Sequence, residues 1–533
     1  VKPANIKNIL IVGGGSAGWM TASTLIKEYP EHNITLVESP YVPKIGVGES
    51  TTVGFIAWIN TLEIDHKDFM KYTDAAYKLS IKFTDFYSKE DGGFHYPFGD
   101  PYVGNCTQPG ANDWHILKAL DKNTTKQSYV EYLFPSSVML NTNKIFIPKT
   151  LRQMDGFDFM KDMALQFDAI KFAEYLKEKY AKPRGVRHIE ADINKIETDE
   201  DGIRSVTLEG GQVLEADLYI DCTGFKGLLI TEALNTKFES HEDRLPVNRA
   251  WAVQIPYEDP EKEIELFTNC TALGYGWVWN APLYSRIGTG YVYSNKFTDS
   301  ESALEEFKNH LKKVHGAHRI NDTLKFREIE FKSGVISKPW NKNVVAIGLS
   351  GAFLEPLESN GLRFIHEHSL LLSRMISRGF VNKFDQEAYN FEVKRDFDSF
   401  SSFVQLHYIL TSRRDTDFWK YMASRDVFID TVNFTSGGHL TSFKSEIINK
   451  ITNKTLHVDR WCGFHCIAVG HEWGPVTPQV VRHWKNTYPS KNFKEIADTF
   501  KKRSEASLIK WNELIKDAPS HYQYLKENFH NEI

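Results

Sequence analysis

Apolar residues fall into short blocks and stripes whose spacing reads as strands alternating with helices. The block Ile9-Leu10-Ile11-Val12 predicts a buried strand that empties into Gly13-Gly14-Gly15-Ser16-Ala17-Gly18, with a helical segment following through Ile26. A second block, Ile34-Thr35-Leu36-Val37, ends at Glu38. Residues 55–72 have helical period, with Asp65 placed to cap the segment that starts near His66. A helical or bent stretch carries Tyr77-Lys78-Leu79, and residues 81–86 then alternate as a strand. Residues 88–115 mix Gly, Pro, Asp and Asn with aromatic rings and read as a long lining loop. Phe159, Met163, Phe167, Ile170, Ala173 and Leu176 form one stripe, which predicts an amphipathic helix over 158–180.

Further strands are expected at 185–189, 203–208, 212–214 and 215–221, the last delivering Cys222-Thr223-Gly224-Phe225. Residues 250–297 read as antiparallel strands of a second layer, and 300–314 as a helix. The block Asn343-Val344-Val345-Ala346-Ile347-Gly348 is another buried strand, feeding the loop 349–361. Beyond 362 the pattern turns helical, at 391–409, 417–424 and 441–449, and a charged helical tail over 493–529 reads as a solvated cover. The expected division is a core over 1–361, with 55–160 and 240–330 in its second layer, and a mostly helical lobe over 362–533 covering the substrate site.

Composition narrows the function class. At 533 residues the chain exceeds one compact core. A net charge of -5 gives no reason to expect nucleic acid or a membrane as partner, and no apolar run is long enough to span a bilayer. The N-terminus shows no signal-like segment, and five cysteines, an odd and sparse set, point to a reducing, cytoplasmic setting. His457, Cys462, His465 and Cys466 lack the usual spacing of a tetrahedral zinc site, so no metal is expected.

The first fifty residues carry the clearest chemistry. Strand, glycine turn, helix, strand and acid follow in the order of a dinucleotide fold. Gly13 permits the tight turn, Gly15 admits a pyrophosphate, Gly18 lets helix lie on strand, and Ser16 and Ala17 open the helix toward the phosphates. Glu38 lies where a carboxylate can accept from a ribose diol. A second glycine-rich loop, Lys44-Ile45-Gly46-Val47-Gly48-Glu49-Ser50, suits a larger ligand such as FAD. Elsewhere, Lys78 sits among apolar neighbours that would lower a lysine's pKa, although most such lysines snorkel to water. Glu355 and Glu358 flank Pro356, which blocks a regular helix. Trp277 and Trp279 share one strand face, as core packing or as a rigid pocket wall.

Taken together these segments resemble the flavin-dependent halogenases, the branch that includes the tryptophan halogenases, almost end to end and most strongly over 9–420. Gly13 to Gly18 resembles that family's FAD phosphate loop, and Gly46-Val47-Gly48-Glu49-Ser50-Thr51 its flavin strap. Lys78 falls on the family's essential lysine. Trp277-Val278-Trp279-Asn280-Ala281-Pro282 is similar to its Trp-x-Trp-x-Ile-Pro motif, with Ala281 in place of isoleucine. Phe353 to Gly361 meets the Phe-x-x-Pro-x-x-Ser-x-Gly pattern through Phe353, Pro356, Ser359 and Gly361. Within it Glu358 matches the glutamate facing the lysine, and Asn360 and Gly361 match the amides that hold halide. Asn360 stands where tryptophan halogenases usually have threonine. In His95-Tyr96-Pro97-Phe98 the substrate clamp departs: Phe98 aligns with the family's phenylalanine, and Tyr96 takes the place of its histidine. Trp461 is a candidate for another pocket ring, and Gly348 for the cofactor turn.

The resemblance implies an α/β (α+β mixed) fold: an FAD-binding, Rossmann-like core of the flavin monooxygenase type, a second mixed-sheet layer and a helical C-terminal lobe. It implies FADH2 supplied by a separate flavin reductase, and chloride, bromide or iodide oxidised to hypohalous acid. Lys78 then directs that acid onto an electron-rich, indole-like aromatic, with Glu358 assisting. A homodimer is left open. The competing readings are a flavin-dependent monooxygenase and a non-catalytic FAD-binding protein of the same fold.

Overall fold

In the computed structural model, which describes residues 4–42, 48–107, 112–424, 462–472, 482, 485–486 and 489–531, the chain divides into two compact units. The first is Val1–Ala75, Leu165–Ile255 and Gly288–Ser401; the second is Ala76–Ala164, Pro256–Ile287 and Ser402–Ile533.

The first unit is built on a six-stranded sheet. Its order is Trp340–Asn341, Val344–Ala346, Leu218–Asp221, Asn8–Val12, Asn33–Glu38 and Arg187–Glu190. All neighbours are parallel except the first pair. Strands buried on both faces read as continuous apolar blocks, which is why the four central strands, Val344–Ala346, Leu218–Asp221, Asn8–Val12 and Asn33–Glu38, were visible in the sequence. The helix Ser16–Glu28 makes the crossover between the two strands that follow each other in sequence. It packs on Gly361–Ile376, where Thr21 and Ser369 hydroxyls meet at 3.0 Å. Register aligns Val12, Asp221 and Ala346, so the loops leaving these strands emerge at one carboxyl edge, where open α/β sheets bind ligands. An antiparallel meander, Ile193–Asp199, Gly202–Leu208 and Val213–Leu214, covers the apolar cluster around Leu10, Val206 and Tyr219.

The second unit holds four neighbouring strands of one sheet, in the order Gly276–Pro282, Phe267–Ala272, Ser80–Thr84 and Phe94–Pro97. Its helices pack through Trp114, Tyr129, Leu133, Phe134, Val469, Phe493 and Phe500. Beyond 361 the regular elements among the described residues are helices, apart from the short strand Phe380–Val381. No helix among the described residues is long and apolar enough to cross a membrane.

Four local expectations change. The 158–180 helix is instead a run of turns, a strand Ala164–Asp168 and a helix Ala169–Tyr175 continued by a π-type turn, Leu176–Ala181. Asp168 sets the boundary, because its carboxylate accepts the N–H groups of Ile170 and Lys171 and so starts the helix there. Tyr77 and Lys78 lie in a strand, Ala76–Lys78, buried at every position and therefore without visible alternation. The 88–115 segment contains the strand Phe94–Pro97 and the start of the helix Asn112–Leu120. The 493–529 tail is not a solvated cover: Phe500, Trp511, Ile515, His521 and Leu525 are buried. The expected 441–449 helix lies outside the described residues.

Candidate active site

Within the first unit, the carboxyl edge of the sheet gathers the glycine turns. Gly13 adopts φ +113°, and a Cβ there would stand 2.2 Å from the Cys222 carbonyl oxygen. Cys222 is fixed by Asp221, whose buried carboxylate accepts from the Thr223, Leu229 and Ile230 N–H groups and from the Thr223 hydroxyl. Gly348 (φ +81°) brings the next strand's turn against Ala17, 2.6 Å from where its own Cβ would be. Gly15 has open space around it, and the Ser16–Glu28 helix starts there with no side-chain cap and no acid in its first turn. Its amides are therefore available to a phosphate.

Glu38 ends its strand almost fully buried and lies over Gly14, where any Cβ would meet its Cδ and Cγ at 2.3 and 2.4 Å. The His188 Nε2 stands 3.1 Å from this carboxylate and the Lys177 ammonium 3.6 Å. Neither Lys177 nor His188 nor the need for glycine at position 14 was visible beforehand. The donor-rich loop, the open Gly15 and the terminal carboxylate fit the pyrophosphate and ribose of a dinucleotide.

The strap strand Gly48–Ser50 pairs antiparallel with Ala164–Asp168 and presents the Ser50 hydroxyl 3.3 Å from that of Ser359. The strap and the 353–361 loop are thus brought together. Burial raises the Glu49 carboxyl to about 7. In the loop, Phe353 packs edge-on against Phe225 and near Phe331. Pro356–Glu358 forms one tight turn, Ser359 reverses the chain at φ +56°, and the Asn360 amide donates to the Glu355 carbonyl at 3.0 Å. Glu358, Ser359 and Asn360 are all buried. Gly361 opens the helix Gly361–Ile376 with no acidic side chain in the first turn and nothing within 4 Å of a would-be Cβ. Unencumbered amides at a helix start suit a small anion such as halide.

Within the second unit, Lys78 is completely buried, with its ammonium 5.3 Å from the centre of the Phe98 ring. Its neighbour Leu79 is clamped on both sides: its N–H donates to Leu266 C=O at 2.7 Å, and its C=O accepts from Phe98 N–H at 2.9 Å. Tyr96 meets Phe98 edge-on at 5.9 Å and Phe403 at 6.5 Å. The sheet register runs Trp279, Cys270, Phe83, Phe94 and so carries Trp277, Trp279, Phe94 and Tyr96 to one face. The two indoles lie 6.5 Å apart, Trp277 fully buried. By the same alternation His95 and Pro97 belong to the opposite face. There the His95 Nδ1 lies 3.1 Å from the Ser80 hydroxyl, with its ring edge-on to Phe267. Burial, and then Lys82, depress His95 to about 3, so it is neutral. Trp461 lies outside the described residues.

A profile of the tryptophan halogenase family matches residues 8–455. Tryptophan 7-halogenase RebH of Lentzea aerocolonigenes is 34% identical over 430 residues, 78% of each chain. Tryptophan 6-halogenase ThaL of Streptomyces albogriseolus is 29% identical over 98% of each chain. Among solved structures, apo VirX1 superposes with a TM-score of 0.90 at 32% identity, covering 99% of this chain and 100% of the other. BrvH, a flavin-dependent halogenase from Brevundimonas sp. BAL3, gives a TM-score of 0.80 at 29% identity over 98% of this chain and 99% of its own. The likeness extends through both units, and the chain belongs to the tryptophan halogenase family, as a flavin-dependent oxidoreductase of mixed α/β fold.

Proposed function

We propose that this protein halogenates an electron-rich, indole-like aromatic, taking FADH2 from a separate reductase. Gly13, Gly15, Ser16, Ala17, Gly18, Glu38, Gly48, Glu49, Ser50 and Gly348 would hold the flavin. Reduced FAD held there would activate oxygen, which would be the oxidant that takes halide to hypohalous acid. The amides of Asn360 and Gly361 hold chloride, bromide or iodide before that step. Lys78 then takes the hypohalous acid, by hydrogen bond or as a haloamine formed as the O–halogen bond breaks and water leaves, and presents its halogen to the ring. Glu358 polarises the oxidant or accepts the proton that the ring loses.

The observation that carries this reading is the burial of Lys78 against Phe98. An ammonium removed from water is expensive unless its surroundings use it. Tyr96 and Phe98 offer a flat ring an edge and a face, while Trp277 and Trp279 supply the rigid wall. Free tryptophan is disfavoured as substrate, because Tyr96 replaces the clamp histidine of the family pattern.

The test pairs the protein with a flavin reductase, NADH, FAD and mixed halides against an indole panel, read by mass spectrometry. Halogen-shifted products are expected. Products gaining one oxygen would instead mark a monooxygenase, and flavin binding without any product a non-catalytic protein.

A further inference from the structure

We infer that His521, on the C-terminal helix, is a positioning residue for Lys78: its imidazole holds in register the two chain segments that flank the lysine. This rests on the Lys78 reading above. His521 is fully buried, 444 residues from its contact in sequence, and has no other assigned task. Its Nε2 accepts the backbone N–H of Tyr77, the residue immediately before Lys78, at 3.1 Å. Its Nδ1 stands 3.1 Å from the carbonyl of Ile264. An amide N–H can only donate and a carbonyl can only accept, so these two partners together select the neutral ring with its proton on Nδ1. Burial agrees, depressing the imidazole to about 3.

The second contact closes a circuit. Two residues beyond Ile264, the Leu266 carbonyl accepts the N–H of Leu79, the residue immediately after Lys78. One imidazole therefore joins the strand entering Lys78 to the segment that pairs with the strand leaving it. The ring is itself anchored. His521 N–H donates to Asn143 C=O at 2.9 Å, Ile145 N–H donates to Pro519 C=O at 3.0 Å, and Asn143 Nδ2 shares the Ile264 carbonyl at 2.9 Å. The turn into this short helix is locked by a reciprocal Ser520–Gln523 capping box. The imidazole also lies flat beside the Tyr77 ring, at 6.2 Å and 27°.

A lysine reaches its target through four flexible methylenes, so where its ammonium rests follows from where its backbone is held. Misplacing a reacting group by about 1 Å can cost on the order of 100-fold in rate. His521 acts on Lys78 only through this backbone.

The test uses the difference between two amides. Gln at 521 can place an oxygen near the position of Nε2 and keep the acceptor for Tyr77 N–H. Asn can place its NH2 near the position of Nδ1, keeping the donor to Ile264 and losing that acceptor. Wild type, His521→Gln, His521→Asn and Lys78→Ala are compared with reductase, NADH, FAD, bromide and an indole. Readouts are halogenated product per NADH, free hypobromite trapped by a soluble 1,3-diketone, the rate of reduced-flavin oxidation, and melting temperature. His521→Asn is expected to lower product per NADH by about 10-fold or more, with a matching rise in trapped hypobromite and unchanged flavin oxidation. His521→Gln should stay within about 3-fold of wild type. Equal loss in both, tracking melting temperature, overturns the positioning role, as does full coupling in His521→Asn. Should Lys78→Ala keep its product, the lysine reading itself fails and this inference falls with it. Nitrogen NMR of histidine-labelled wild type gives a reading that needs no variant to fold: the Nδ1–H tautomer at 521 is expected, and the Nε2–H tautomer refutes the bridge.

Discussion

Gly15 and Gly18 stand three residues apart in one loop, yet alanine should act at each through different physics. A Cβ at Gly18 would lie 1.8 Å from the Gly13 carbonyl oxygen and 3.0 Å from its carbon. Both are backbone atoms of the turn that seats the helix Ser16–Glu28, so no rotamer change relieves the clash. Overpacking of this kind costs about 1–3 kcal/mol, and a backbone collision belongs at the upper end, about 3 kcal/mol. At Gly15 a Cβ meets nothing within 4 Å, and φ is −79°, which any residue adopts. Alanine there should leave folding unchanged or slightly favoured, because it restricts the unfolded chain. Its methyl would instead fill the space that a pyrophosphate needs. A penalty of about 2 kcal/mol corresponds to roughly 30-fold weaker flavin binding. Denaturant unfolding of the flavin-free protein and fluorescence titration with FAD separate the two effects. Gly18→Ala should lose stability, whereas Gly15→Ala should unfold with wild type but bind FAD weakly. Wild-type affinity in Gly15→Ala would refute the phosphate-loop assignment, and wild-type stability in Gly18→Ala would refute the packing argument.

Three further outcomes follow from burial. His95, His407 and His521 are each depressed to about 3 in the fold, against an ordinary value of 6.5. The unfolded chain therefore binds more protons between these limits. Their contribution to stability is complete above pH 6.5 and lost as pH falls toward 3, so denaturant midpoints should drop steadily below pH 6.5, and a flat profile contradicts this. Glu49 has the opposite sign: its carboxyl is raised from 4.5 to about 7, so the fold loses stability as pH rises through that interval. Glu49→Gln should accordingly stabilise the flavin-free protein at pH 8 and leave it unchanged near pH 4, and equal effects at both would sink the assignment. Trp511, fully buried with its indole N–H donating to Asp155 at 2.7 Å, should cost about 3–5 kcal/mol when truncated to alanine. A loss below about 0.5 kcal/mol, measured by urea unfolding, would return the helix Phe493–Ile515 to a surface role.

The parallel core was legible because buried strands are continuous apolar blocks, and each ended on a glycine or an acid that the edge of the sheet requires. The 158–180 stretch misled because its apolar spacing fits a helix on both sides of Asp168, while the decisive fact is which N–H groups that carboxylate caps. His95 and Tyr96 could be assigned to opposite faces only once 94–97 was known to be a strand, and its glycine- and proline-rich surroundings hid that. Lys177 and His188 reach Glu38 from elements about 140 and 150 residues away, a pairing no local pattern announces. The tail did carry its signal: Phe493, Ile496, Ala497 and Phe500 repeat at three and four residues on one buried helical stripe. Lys494, Glu495 and Asp498 between them masked it. The role proposed for Lys78 rests on a motif alone, since its apolar neighbours look the same around a snorkelling lysine.

The most direct test of the account is product formed per NADH consumed in Lys78→Ala beside wild type, with bromide and an indole substrate. Halogenated product should disappear while reduced-flavin oxidation continues at the wild-type rate. Halogenated product persisting at the wild-type yield would contradict it.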